Sequence, residues 1–283
     1  MAKLFNAYFC RLSRWTVFRI LLALLFAGGI AAAIIMRSVE SAWNLPYILA
    51  YLVFPHYVGI LTGLFNYPLF TNGTIRNQLS AGHKRSHIFL ADWAVSNAFA
   101  VALYLVFAAS FFVTFALCSG SGSASAAQNT NLMEGMPENI LSVSAGDISA
   151  KAIAASVLIS AVQIIFFTTV TQIFCIIFKG VKSFLAIYLG NQAIMFAGIV
   201  YATLAGEYNL PEKLTILFPT DVCMSMSSSF AVDSDFLPAL CAMLAETAAL
   251  FLAGILYFRK TDFNGSEVFT CFTVCLHFYL QQQ

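Results

Sequence analysis

ILLALLFAGGIAAAIIM, residues 20–36, carries no charged and no amide side chain. A helix on the surface of a soluble domain keeps polar residues on its outer side; here there are none, so the whole circumference suits hydrocarbon. With Thr16 to Arg19 added, where the long Arg19 side chain can reach the interface, the segment can cross an apolar layer about 30 Å thick. A signal peptide has a shorter apolar core, about 7–15 residues, and Arg37 at the far end reads as a stop. Five further runs follow: about Pro46 to Phe70, Trp93 to Cys118, Ile153 to Phe178, Ser183 to Ala205 and Phe236 to Phe258. Backbone groups in lipid have no water to bond, so each run is expected to be a helix. Composition agrees, with 60% of the 283 residues apolar and 10% charged, against roughly 45–50% and about 25% in soluble domains. The expected fold is an all-α integral membrane protein with six transmembrane helices, and a water-soluble globular protein is excluded.

Lysine and arginine placement orients the spans. Lys3, Arg11, Arg14, Arg19, Arg76, Lys84, Arg85, Lys179, Lys182, Arg259 and Lys260 fall on one side; Arg37, Lys151 and Lys213 fall on the other, among Glu40, Glu134, Glu138, Asp147, Glu207, Glu212, Asp221, Asp233 and Asp235. Both termini are therefore expected in the cytoplasm. Residues 1–15 read as an interfacial amphipathic helix, with Leu4, Phe5, Tyr8, Phe9 and Leu12 on one face and Lys3, Asn6, Cys10 and Arg14 on the other. The six-span domain occupies 16–258, with a cytoplasmic loop at 71–92 and outer loops at 119–150 and 206–235. The first outer loop opens with the flexible string SGSGSASAAQNTN; the second holds NLPEKLTILFPTD, expected to dip toward the membrane. The cytoplasmic tail, 259–283, includes an apolar stretch from Val268 to Leu280 that is too short to span. The seven scattered cysteines give no disulfide framework.

The connection TNGTIRNQLSAGHKRSHIFLADW, residues 71–93, carries the most specific signal. Thr74 to Ala81 can form a short helix with Ile75 and Leu79 on one side, and Gly82 suits the left-handed position that ends it. Lys84 and Arg85 precede the next span. The physical sense is a rigid cytoplasmic knob, with an apolar ridge to dock in a groove and polar flanks to set its register.

At Gly73, Thr74, Ile75, Arg76, Asn77, Leu79, Gly82, Lys84 and Arg85 the sequence resembles the permease subunits of type 2 ATP-binding-cassette (ABC) exporters, as does the string Phe258, Arg259, Lys260 and Asp262 after the last span. The resemblance implies that residues 73–85 are an ATPase-coupling helix, that cytoplasmic ABC ATPase subunits bind there, and that a second permease subunit, self or paralogue, completes the pore. ATP and magnesium would then sit on the partner ATPase, with no cofactor bound by this chain, in a bacterial cytoplasmic membrane. The chain has no G-x-x-x-x-G-K-[ST] motif, so no P-loop of its own, and no catalytic residue or nucleic-acid partner is expected.

Glu246 lies near the middle of the sixth run and reads as the only acid set that deep; an ionised carboxylate there is costly unless it faces protein or water. Glu246, Asn191 and Gln192 are candidate lining groups of a substrate path, with interhelical hydrogen bonding as the plainer role. Gln163 and Gln172 read the same way. His56 follows Pro55 and is a second titratable candidate. His83 and His87 stand four apart but lack the companion Glu of a zinc motif, so no metal site is expected. Small residues at Ala23, Ala27 and Ala31, with Gly28 and Gly29 beside them, and at Ala245, Ala249 and Ala253, offer close-approach faces within the subunit or between two. The lack of other charged lining points to a hydrophobic or amphipathic cargo such as a peptide antibiotic, drug or lipid. Two other classes stay open: a proton-coupled secondary transporter using Glu246 or His56, and a non-transporting membrane scaffold or immunity protein.

Overall fold

The computed structural model describes residues 2–36, 45–71, 74–119, 150–178, 182–208 and 236–260. Residues 120–149 and 209–235 of the expected outer loops, the tail beyond Lys260, and Gly73 lie outside the described residues. Every element described is an α-helix: α1 (Ala2–Arg14), α2 (Thr16–Met36), α3 (Leu45–Leu52), α4 (Phe54–Thr71), α5 (Thr74–Ser80), α6 (Arg85–Ser119), α7 (Ala150–Phe178), α8 (Lys182–Tyr208) and α9 (Phe236–Lys260).

Four of these, α2, α6, α7 and α9, are long and apolar enough to cross a membrane. The helix α8 has 27 residues, but its apolar stretch is the shorter Leu185–Gly198. The run from Pro46 to Phe70 is not one helix. It divides at Val53 into α3 and α4, because Pro55 has no N–H to give to the carbonyl four residues back. The break is mild, since Val53 N bonds Leu49 O and Tyr57 N bonds Val53 O, both at 3.0 Å. The helix α6 begins at Arg85, well before the Trp93 start of the third apolar run.

Water does not drive helices together inside a bilayer, so close packing and hydrogen bonds must. The central helix is α7, which packs against α3, α4, α6, α8 and α9. Its inward side chains include Ser160, Gln163, Thr168, Thr169, Thr171 and Gln172, all buried. At the margin, α2 lies along α6. It buries Leu21, Gly29 and Ala33, and a side chain at Gly29 would meet Ser110 Oγ and, at 2.7 Å, Phe107 O. Ala23, Ala27 and Ala31 face outward instead, as do Ala245, Ala249 and Ala253 on α9. The alanine stripes are therefore not used for packing inside this chain, whereas Gly29, beside the first of them, is.

At the end of the bundle that carries α1, rings close the core: Trp15 and Phe18 pack on Phe99 at 5.9 and 5.2 Å, and Trp93 on Phe251 at 4.5 Å. The helix α1 joins this core and does not lie apart from it. Leu4, Tyr8 and Leu12 are sealed in one cluster with Phe65, Ile75, Phe89, Val95 and Phe99, while Phe5 and Phe9 stay exposed. The five-residue apolar face of α1 is thus split into a protein-facing ridge and an outward pair.

Candidate functional site

The knob expected on the cytoplasmic side is built as a capped helix. Gly82 sits at φ +84°, the only positive-φ glycine among the described residues. Its N–H bonds Leu79 O at 3.0 Å and His83 N–H bonds Gln78 O at 3.2 Å. Those two bonds are the paired closure that a left-handed glycine makes at a helix end, so α5 stops where the sequence says it must. Ile75 is 3% exposed and Leu79 packs on the same cluster, so the apolar ridge seats the knob on its own bundle and is not offered outward. What α5 leaves exposed is Arg76, Asn77 and Ser80, followed by Lys84. Thr74 opens the helix and is half-buried. Arg85 starts α6 and donates through Nη1 to Arg259 O at 3.3 Å, bringing the two basic pairs, Lys84–Arg85 and Arg259–Lys260, onto one end of the bundle. His83 and His87 are half-buried there, and no cluster of three metal-binding side chains is found among the described residues.

Two of the three expected path residues come together. Asn191 is fully buried on α8, and its Nδ2 lies 2.9 Å from where a Cβ at Gly59 of α4 would stand, with Thr171 Oγ1 of α7 at 3.2 Å from the same point. A side chain at Gly59 would have to displace the Asn191 amide and crowd Ile187 and Thr171. Gln192 Nε2 pairs with His56 Nε2 at 3.3 Å, and the Tyr188 ring lies 5.7 Å from the imidazole. His56, Gly59, Thr62 and Asn66 share one side of α4 at helical spacing, and Thr62 and Asn66 are both fully buried. Glu246 is half-buried on α9, and Thr247 beside it donates to Met243 O of its own helix at 2.7 Å.

Asp92, which the sequence reading passes over, corrects the view of Glu246 as the sole deep acid. Asp92 Oδ2 accepts from Gln172 Nε2 of α7 at 3.2 Å, and Oδ1 is closed off from solvent. The α1 side chains reach two neighbouring helices, α4 and α5. Arg11 Nη2 donates to Phe65 O at 2.7 Å and its guanidinium lies 4.7 Å over the Phe65 ring; Tyr8 Oη donates to Gln78 Oε1 of α5 at 3.1 Å. Burial draws the Arg11 guanidinium below its ordinary basicity and the Asp92 charge opposes that pull. Burial also pushes the Tyr8 hydroxyl up, with the Asp92 charge adding to it, so Tyr8 remains a donor. One turn on from Asp92, Ser96 Oγ accepts from Asn66 Nδ2 at 3.4 Å, and Trp93 Nε1 donates to Thr169 Oγ1 at 2.9 Å.

A signal for Asp92 was present in the sequence. Counting back from the buried Val95, Phe99 and Leu103 at steps of three and four lands on residue 92, then on Ile88, so an acid on that register faces the bundle.

Chemically, the arrangement provides one basic, polar end with an ordered knob, and a seam of amides and hydroxyls between α4, α7 and α8. No family model matches this sequence, and no curated protein is found similar to it.

Proposed function

We propose that this chain is the membrane-spanning subunit of an ATP-driven exporter of the ABC type, moving a hydrophobic or amphipathic cargo such as a peptide antibiotic, drug or lipid across a bacterial cytoplasmic membrane. In this reading the α3–α4 pair and α8 complete six crossings with both termini cytoplasmic. Two cytoplasmic ATPase chains hold ATP and magnesium, and a second permease subunit completes the pore. The observation that carries the reading is the knob. A seven-residue helix, closed by Gly82 and rooted by Ile75, holds Arg76 and Asn77 outward on a fixed base. A loop whose only task is to bear positive charge needs neither the cap nor the root. Glu246, Asn191 and Gln192 remain path candidates, with the His56–Gln192 pair beside them.

The test is a mild-detergent pull-down of the tagged chain from its native host, comparing wild type, Arg76→Glu and a replacement of residues 73–85, with ATPase activity measured in each eluate. An ATPase recovered with wild type and lost with both variants supports the reading. A clean permease with no ATPase in any sample overturns it in favour of the proton-coupled carrier, for which Glu246→Gln and collapse of the proton gradient are the next tests.

A further inference from the structure

The exposed charge at the end of the bundle that carries the knob has one sign. Arg76 on α5, Lys84 just past the Gly82 cap, and Arg259 and Lys260 at the close of α9 are all exposed, and the bond from Arg85 Nη1 to Arg259 O at 3.3 Å ties the two basic pairs together. The acids among the described residues are Asp92, Glu207 and Glu246, and none answers them. Asp92 is turned inward onto Gln172, Glu246 sits half-buried midway along α9, and Glu207 lies in the last turn of α8, a helix that runs away from this end. The apolar part of the knob is already used: Ile75 is buried and Leu79 packs on the same internal cluster. We propose that the surface made by Arg76, Asn77, Ser80, Lys84, Arg259 and Lys260 docks on an acidic face of the partner ATPase, and that ionic and polar contacts, not insertion of an apolar ridge, hold the two together. It rests on the exporter reading above and names the chemistry of that partner.

Two competing accounts of the same charge are membrane topology and lipid headgroups. A topological charge has only to stay on its side of the bilayer and acts from any loop. Phosphate headgroups answer a cation but give no reason for a fixed register. Here Arg76 and Ser80 stand one turn apart on one side of α5 with Asn77 beside them, so a cation, a hydroxyl and an amide are presented together on a helix that is closed by Gly82 and rooted by Ile75. Neutral hydrogen-bonding groups do nothing for topology. Held on a fixed base beside cations, they suit a protein surface whose carboxylates set the attraction and whose polar groups set the register.

Two measurements on the full chain test it. In the first, the tagged chain is solubilised from its native host in mild detergent, washed at about 50 or about 500 mM NaCl, and the bound ATPase activity is read per mole of chain. Expected is a loss of about tenfold or more at the higher salt, because exposed ion pairs are screened there. A comparable loss is expected at low salt in the double variant Arg76→Gln, Lys84→Gln, with none in Lys3→Gln, Arg14→Gln on α1. Activity held equally at both salts overturns the ionic surface and leaves the exporter reading standing, because salt does not weaken an apolar contact. Equal loss in the α1 variant overturns it too, since charge then counts wherever it is placed. No ATPase with wild type at low salt overturns both readings. The salt wash uses wild type, so a variant that fails to fold does not obscure it. In the second, a water-soluble carbodiimide couples the Lys84 and Lys260 amines to carboxylates in contact with them, and the amide links are mapped by mass spectrometry. Links to Asp or Glu of the ATPase chain support the surface. Links only to Asp262 or Glu267 of this chain overturn it and make its own tail the occupant, and no link at either lysine overturns it in favour of lipid headgroups.

Discussion

The helices α2 and α7 are nearly equal in apolar character and opposite in surroundings. The helix α2 touches chiefly one neighbour, α6, and turns Ile20, Leu24, Phe26, Ile34 and Ile35 outward. The helix α7 is enclosed by five others and hides two glutamines, three threonines and a serine. In water the more apolar side of a helix goes in; in a bilayer both sides are apolar and the polar residues go in. The contrast shows what holds each helix. A steric fit at a glycine fastens α2, and hydrogen bonds with shape together fasten α7.

The strongest test of that difference is Gly29→Leu against Gly28→Leu. At Gly29 a side chain meets Ser110 Oγ and the Phe107 carbonyl, whereas at Gly28 nothing lies within 4 Å. The first should cost about 3 kcal/mol and strip α2 from α6, and the second should be near neutral, read as loss of the monodisperse peak on heating in detergent. Equal behaviour of the two would show that α2 is not held in this register. Next in size is Gln172→Leu. It removes the donor to Asp92 Oδ2 and should destabilise the chain by about 2 kcal/mol, measured by titration with a denaturing detergent. Stability unchanged by that substitution would mean that α7 is held by shape alone, as α2 is. The smallest is Thr169→Val, which deletes the acceptor of the Trp93 indole at 2.9 Å and should cost about 1 kcal/mol, with a shift in tryptophan fluorescence as its local signature.

This contrast also explains how far the sequence could be read. Apolar runs announce helices, because lipid demands closed backbone bonding wherever they occur. Gly82 announces its own cap, because few other residues tolerate a positive φ. The inward face of α2 is harder. Ala23/Ala27/Ala31 and Leu21/Gly29/Ala33 both recur in whole multiples of four, and only the relief of α6 around Phe107 and Ser110 selects the second. Ile75 and Leu79 were legible as a ridge, but a ridge does not state whether its groove belongs to the same chain. Asp92 was hidden by its place, one residue before the run that begins at Trp93. Asn191 and Gln192 were legible as buried amides, whereas their neighbours on α4, Gly59 and His56, could be named only from the packed bundle.

The seating of α1 also has a consequence for the order of assembly. Its hydrogen-bond partners lie far downstream, Phe65 by 54 positions and Gln78 by 70. Those bonds cannot close before α4 and α5 exist, so the seat of α1 is completed late in the assembly of the bundle, and a lesion in α4 or α5 is felt at a helix more than fifty positions away.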